Sequence, residues 1–289
     1  PELRQLLTKY QGYEKNDLFP PGHFYSPVFD VEELKLRQDK IWTGVDKKEV
    51  AGIDLNDEGQ VALATSFEKY YAEMPFDKGL PDLRYAFVND FYSYTDGITL
   101  YSMMRHFQPK RIVEVGSGHS SALMLDTKEH FKMDTELVFI EPFPERLNSL
   151  LRQNDREQCR VVVSPVQEVD PAFFAGLGKN DILFIDSSHV VKTGSDLHYL
   201  IFKVIPALNP GVLIHFHDVF YPFEYPKNWV FMGRNWNEDY FLRAFLMYNN
   251  AFRIRFFAHF LHAHYNHVFA NMPLCYKNIG GNIWLEKLA

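Results

Sequence analysis

From residue 111 onward, short wholly apolar runs alternate with stretches of helical spacing, and that alternation predicts a parallel sheet. The runs at 111–115, 137–140, 161–163, 181–185 and 212–216 are apolar almost throughout rather than at every second position. Strands covered by helices on both faces must read that way. Helices fit between them at 120–131, 145–155 and 194–207, the last ending against Pro206 and the turn Asn209-Pro210-Gly211. A further helix near 237–248 precedes runs at 254–258 and 282–286 that can pair as a closing hairpin. The fold class expected is α/β: a doubly wound, mostly parallel seven-stranded sheet with a C-terminal antiparallel hairpin.

The first third of the chain follows another pattern, mixing polar, aromatic and turn residues. Phe19-Pro20-Pro21-Gly22-His23-Phe24-Tyr25-Ser26-Pro27 cannot be helical, because each proline lacks an N–H and biases its predecessor to extended geometry. It reads as an ordered arm. Apolar spacing predicts helices at 31–42 and 60–74 and a longer one at 87–107, with Asp96-Gly97 as the place where it can break. Residues 1–86 are therefore expected to form an arm and helical cap, serving as a lid or an oligomer contact. Residues 87–289 are expected to form the catalytic domain.

Composition narrows the classes without choosing among them. Of the 289 residues 46% are hydrophobic and 23% charged, as in ordinary globular proteins. A net charge of −7 and the lack of any Lys/Arg block argue against a nucleic-acid partner. Two cysteines, Cys159 and Cys275, indicate neither a disulfide framework nor a cysteine zinc site. No apolar run reaches the roughly 18 residues of a transmembrane helix, and Pro1-Glu2-Leu3-Arg4 does not read as a signal peptide. The expectation is a cytoplasmic protein without a membrane partner. The aromatic share, 16%, lies largely outside the central strands and suits an apolar substrate cleft as well as extra core packing.

Chemistry concentrates where strands end. Glu114-Val115-Gly116-Ser117-Gly118-His119-Ser120-Ser121 lies at a strand-to-helix turn, where glycines admit a ligand close to the backbone and the helix start offers free N–H groups. Glu114 supplies an anion suited to a cationic amino-acid or sulfonium ligand and ill suited to a pyrophosphate. Ser121 stands where a dinucleotide fingerprint has its third glycine. The second strand ends in Ile140-Glu141-Pro142, delivering an acid that can accept hydrogen bonds from ribose hydroxyls. Turn and acid together also fit an NAD-linked oxidoreductase.

Glu114-Val115-Gly116-Ser117-Gly118 resembles motif I of class I S-adenosylmethionine-dependent methyltransferases, which have a Rossmann-like sheet. Glu141 resembles their ribose acid, and Leu208-Asn209-Pro210-Gly211 their loop before the fifth strand. More narrowly, Phe184-Ile185-Asp186-Ser187-Ser188-His189 followed by His215-Phe216-His217-Asp218 is similar to the D-G-x-H … H-D pattern of a small-molecule O-methyltransferase group. That group includes macrolide-sugar O-methyltransferases and relatives of the cephalosporin-pathway hydroxylase/methyltransferase proteins. The resemblance covers residues 90–220 and Gly280-Gly281-Asn282-Ile283-Trp284-Leu285. Ser187 departs from the usual Gly, and His217 stands where several relatives carry Glu or Asp.

The resemblance implies S-adenosylmethionine as cofactor, held by Glu114, Gly116, Ser117, Gly118, Ser120, Glu141 and Asp186, with Tyr94, and Tyr92 beside it, near the methionine end. It implies an acceptor that is a hydroxylated small molecule, a sugar or natural-product scaffold. Asp186, His217 and Asp218 stand just after the fourth strand and at the end of the fifth, where open parallel sheets bind ligands. They are candidates to hold Mg²⁺ or another divalent cation, although imidazole favours transition metals. His189 is the candidate general base, a neutral imidazole near its ordinary pKa, with Asp186 and His217 beside it. A homo-oligomer is compatible with the amino-terminal helices. A metal-free transferase, an N-methylating enzyme and a non-catalytic cofactor-binding protein of the same fold remain open. The tract His259, His262, His264 and His267 sits among Phe256, Phe257, Phe260 and Leu261 and reads as packing rather than ligation.

Overall fold

The strands form where the apolar runs lie. In the computed structural model, which describes residues 18–289 apart from Gly79 and Pro81, they are β1 Arg111–Val115, β2 Glu136–Ile140, β3 Cys159–Val162, β4 Ile182–Ile185, β5 Leu213–His217, β6 Phe252–Phe257 and β7 Asn282–Lys287. Their order across the sheet is β3-β2-β1-β4-β5-β7-β6. The first five run parallel, and β7 enters antiparallel between β5 and β6. The expected fold class, including the closing hairpin, is what the chain adopts.

Alternation along each strand feeds two cores. Ile112, Leu137, Phe139, Phe184 and Leu213 point to one face, where Leu100, Tyr101 and Met103 of the helix Tyr94–Phe107 cover them. Val113, Val115, Val138, Ile185, Ile214 and Phe216 point to the other, under Leu197, Leu200, Val204 and Leu242. By the same alternation Glu114, His215 and His217 share the first face. Polar side chains are thus built into an apolar layer at the carboxyl end of the sheet.

Register sets the site. Val115 pairs with Ile140 on one side and Ile185 on the other, and Ile185 pairs with Phe216. The next residue on each strand is Gly116, Glu141, Asp186 and His217, so four residues far apart in sequence form one row. Backbone bonds close it: Gly116 N–H donates to Ile140 O at 3.1 Å, and Asp186 N–H to Val115 O at 2.9 Å.

The helices differ from expectation in places that have local causes. The helix expected from residue 87 begins at Tyr94. Upstream, the Asn89 side chain accepts from Phe91 and Tyr92 N–H and donates to Ala86 and Tyr92 O, which competes with helix formation. Gly97 does not break the helix; a Cβ there would lie 2.3 Å from the Tyr85 hydroxyl, so glycine serves close packing. The stretch at 145–155 stops at Leu150, where Leu151 turns extended. Pro206 is absorbed by a π turn, Leu200–Val204, because its missing N–H breaks the α ladder.

The chain divides into two units. The larger comprises Gly44–Glu224 and Asn237–Ala289 and holds the sheet. The smaller joins the described residues up to Thr43 to Tyr225–Trp236. Within it Asp30 caps the helix Val31–Leu36, Trp42 Nε1 donates to Tyr225 O at 2.8 Å, and the Arg234 guanidinium lies over the rings of both Trp229 and Trp236. Phe19, His23, Phe24 and Tyr25 form an aromatic cluster in turn conformation, and both Phe24 and Tyr25 are exposed. Among the described residues no helix is long and apolar enough to cross a membrane.

Candidate active site

At the β1 turn, Gly116 adopts φ +82°, and a Cβ there would lie 1.7 Å from the carbonyl oxygen of Asp186. The turn therefore rests directly on the loop that follows β4. Gly118 is different: a Cβ would meet only the flexible Arg146 chain, at 3.0 Å. Packing within the fold demands glycine at 116 and not at 118.

Glu114 is fully buried beneath the turn. Its carboxyl accepts from the hydroxyls of Ser120 (2.5 Å) and Ser121, and Ser121 Oγ accepts from Gly118 N–H at 3.0 Å. Burial pushes its pKa up to about 8, with the serine hydroxyls offsetting part of the effect. Glu114 and Ser120 thus brace the turn from below. Glu141, at the end of β2, accepts from Ser117 N–H (3.0 Å) and Phe143 N–H (2.8 Å), tying the β2 loop to the glycine turn.

Beyond β4 and β5 the row continues into an acid–imidazole cluster. His189 Nε2 lies 3.5 Å from Asp186 Oδ1 and 3.7 Å from Asp218 Oδ2, while His217 Nε2 lies 3.5 Å from Asp218 Oδ1. His189 Nδ1 is 2.9 Å from Glu238 Oε2. His189 and Asp218 both occupy the left-handed region, with φ of 57° and 54°. Such conformations on non-glycine residues cluster at functional sites.

These contacts set the charges. Burial alone would raise the pKa of Asp186, but His217 and His189 outweigh it and hold the group down at about 2. Burial disfavours a charged His189, yet Asp186 and Glu238 raise its pKa well above the ordinary value. His217 is raised too, its three neighbouring acids Asp218, Asp186 and Asp96 outweighing burial. Asp218 is pushed up by burial, partly offset by His217 and His189. The neighbouring carboxylates thus favour the protonated form of His189, where the sequence suggested an imidazole near its ordinary pKa.

The row brings together Glu114, Gly116, Ser117, Gly118, Ser120, Glu141, Asp186, His189, His217 and Asp218. Tyr94 stands elsewhere: its ring stacks on Phe87 at 5.4 Å, and it lines a cavity of about 400 Å³ with Asn89, Ser93, Lys277 and Asn278. Tyr92 is the aromatic in the cluster, buried 5.0 Å from the His217 ring. His215 packs between Phe184 and Trp284, its pKa lowered well below the ordinary value by burial and by His217. His259 accepts from Tyr221 N–H, and His262 bonds Thr95 and stacks on Phe269; burial pushes both down to about 4. The rings of Tyr221 and Phe223, just after Asp218, are buried.

Two acids escaped the reading of the sequence. Asp96 is buried and accepts from Gly281 N–H (3.0 Å) and Asn282 Nδ2 (2.6 Å), fixing the start of β7 beside His217. Glu238 reaches His189 from the start of the helix Glu238–Leu246. An Asn-Glu-Asp run opening a helix was the only visible signal for Glu238, and it reads first as capping. Among the described residues no group of three or more His, Cys, Asp or Glu is placed to hold a metal ion.

The family model described as "Methyltransferase domain" matches residues 113–219, from β1 to just past β5. A curated Archaeoglobus fulgidus protein, named only as uncharacterized, is 35% identical over 178 residues, which is 58% of this chain and 78% of that protein. Among solved structures, the chain is similar to the SAH-bound methyltransferase PaMTH1 of Podospora anserina (16% identity, 77% of this chain and 90% of that one, TM-score 0.40). It is also similar to a putative caffeoyl-CoA O-methyltransferase from Staphylococcus aureus (17% identity, 82% and 100%, TM-score 0.43). The methyltransferase match runs across the very strand ends that carry the glycine turn, the Glu141 acid and the Asp186–Asp218 cluster, and residues 113–219 of the chain therefore form a methyltransferase domain.

Proposed function

We propose that the chain moves a methyl group from S-adenosylmethionine to a hydroxyl oxygen of a small molecule, a sugar or natural-product scaffold. The observation that carries this reading is the contact between Gly116 and the Asp186 carbonyl, which puts the glycine turn directly against the loop bearing Asp186 and His189. A donor held at one and an acceptor held at the other would be neighbours, and proximity of that kind supplies much of the acceleration of a displacement.

The residues present suit the cofactor. Gly118 leaves the turn open except for the Arg146 chain, and Glu141, while holding two backbone N–H groups, keeps lone pairs for ribose hydroxyls. The cofactor supplies an electrophilic methyl on a sulfonium centre. On the acceptor side, His189 is the charged hydrogen-bond donor that orients the hydroxyl. Asp218, made more basic than a free carboxylate by burial, takes its proton as the oxygen–methyl bond forms. Asp186 stays ionised and keeps His189 cationic.

Asp186, His217 and Asp218 do not make a ready metal centre. They are committed to one another and to His189 as ion pairs, and the imidazole of His217 suits Mg²⁺ poorly. No step is routed through an ion.

Methyl-tritiated S-adenosylmethionine incubated with a panel of sugars, phenols and alcohols tests the reading. We expect label in an O-methyl ether, with one equivalent of S-adenosylhomocysteine formed and transfer persisting in EDTA. Label on nitrogen, or none across the panel, counts against it; loss in EDTA assigns the acid cluster to an ion instead.

A further inference from the structure

We propose that Glu238 is the positioning residue of His189, a carboxylate that fixes the imidazole with Nδ1–H donated to itself so that Nε2 is the nitrogen presented to the acceptor. This rests on the assignment of His189 to the acceptor side made above. His189 sits in a loop in the left-handed region, with no strand or helix of its own to orient it. The start of the helix Glu238–Leu246 grips it instead. Asn237 N–H (3.1 Å) and Glu238 N–H (3.3 Å) both donate to His189 O. The Asn237 side chain accepts from Val191 N–H at 2.6 Å and donates to Val191 O at 3.1 Å. Backbone and ring are therefore held by two adjacent residues that lie 48 positions or more along the chain.

The choice of an acid at 238 needs a reason other than helix capping. A capping acid is normally solvated, whereas the Glu238 side chain is 1% exposed. Burying a carboxylate is costly unless it is paired, and an apolar side chain would fill the space without that cost. Its partner is the ring nitrogen, at 2.9 Å. With Nδ1 engaged there, rotation of the ring is blocked, and Nε2 faces Asp186 and Asp218. A carboxylate that orients a catalytic imidazole through its far nitrogen is a recurrent physical solution.

The test is ring-nitrogen NMR on the full chain labelled with ¹⁵N-imidazole histidine, the His189 signals being assigned by their absence in His189→Gln. In the wild type we expect a protonated Nδ1 whose proton resonates far downfield, as a charge-assisted hydrogen bond requires. That proton signal should be lost in Glu238→Gln and regained in Glu238→Asp. A bare Nδ1 in the wild type overturns the proposal without any variant, and so does a His189 signal that Glu238→Gln leaves unchanged. Affinity for S-adenosylhomocysteine is measured on the same samples. Failure of the wild type to bind it removes the functional reading while leaving the Nδ1 result to stand or fall alone.

Discussion

Gly116→Ala is expected to destabilise the protein by roughly 4 kcal/mol or more, in the extreme tail of single substitutions, and to abolish cofactor binding. Two costs combine. A non-glycine residue at φ +82° carries strain of about 1–3 kcal/mol. The new methyl would also lie 1.7 Å from the Asp186 carbonyl oxygen and 2.7 Å from its carbon, so backbone must move at the end of β1 or β4. Neither end is free, because Gly116 and Asp186 are each bonded into the neighbouring strand. Urea denaturation and calorimetric titration with S-adenosylhomocysteine would measure both effects. Gly118→Ala is the control, since its methyl meets only a flexible side chain; its stability should stay near wild type, and any loss of affinity there reports the ligand itself.

Arg84→Ala is expected to cost about 3–5 kcal/mol, the range found when one partner of a buried ion pair is removed. Arg84 joins Asp126 (2.6 Å) and Asp155 (2.5 Å), and all three side chains are at most 2% exposed. Asp126 also accepts from the N–H groups of Arg84 and Tyr85. Removing the guanidinium leaves two buried carboxylates without their counter-charge. The consequence reaches the active site, because Tyr85, held next to this network, donates its hydroxyl to Tyr92 O, and Tyr92 packs on His217. The midpoint of urea unfolding should drop sharply in Arg84→Ala. Asp126→Asn with Asp155→Asn in the same chain should recover part of the loss by removing the stranded charges. A midpoint within error of wild type for Arg84→Ala would show that the network contributes nothing.

Much of this was legible from strand ends. An apolar run that terminates in an acid states its own register, and Glu141 and Asp186 fell where β2 and β4 deliver them. His217 and Asp218 were legible for the same reason, at the end of β5. Asp96 and Glu238 were not, since each lies on a helix that meets the row only through tertiary packing, and an acid near a helix start has a local explanation. Tyr92 and Tyr94, both named for the methionine end of the cofactor, are parted by a helix boundary. Read as one helix from residue 87, the two tyrosines would lie on roughly opposite faces; the Asn89 turn instead leaves Tyr92 just before the helix, where it reaches His217, and Tyr94 on Phe87. The contact of His189 with Glu238 was equally hidden, because the two lie 49 residues apart.

The central claim is that the glycine turn and Glu141 together hold an adenosyl cofactor. Calorimetric titration of S-adenosylhomocysteine into the wild type and into Glu141→Ala tests it most directly. The account predicts saturable one-to-one binding to the wild type. It predicts weaker binding to Glu141→Ala by roughly 10–100-fold, from the loss of charged hydrogen bonds of about 1.5–3 kcal/mol. No heat of binding in the wild type, or equal affinity in the two proteins, would contradict it.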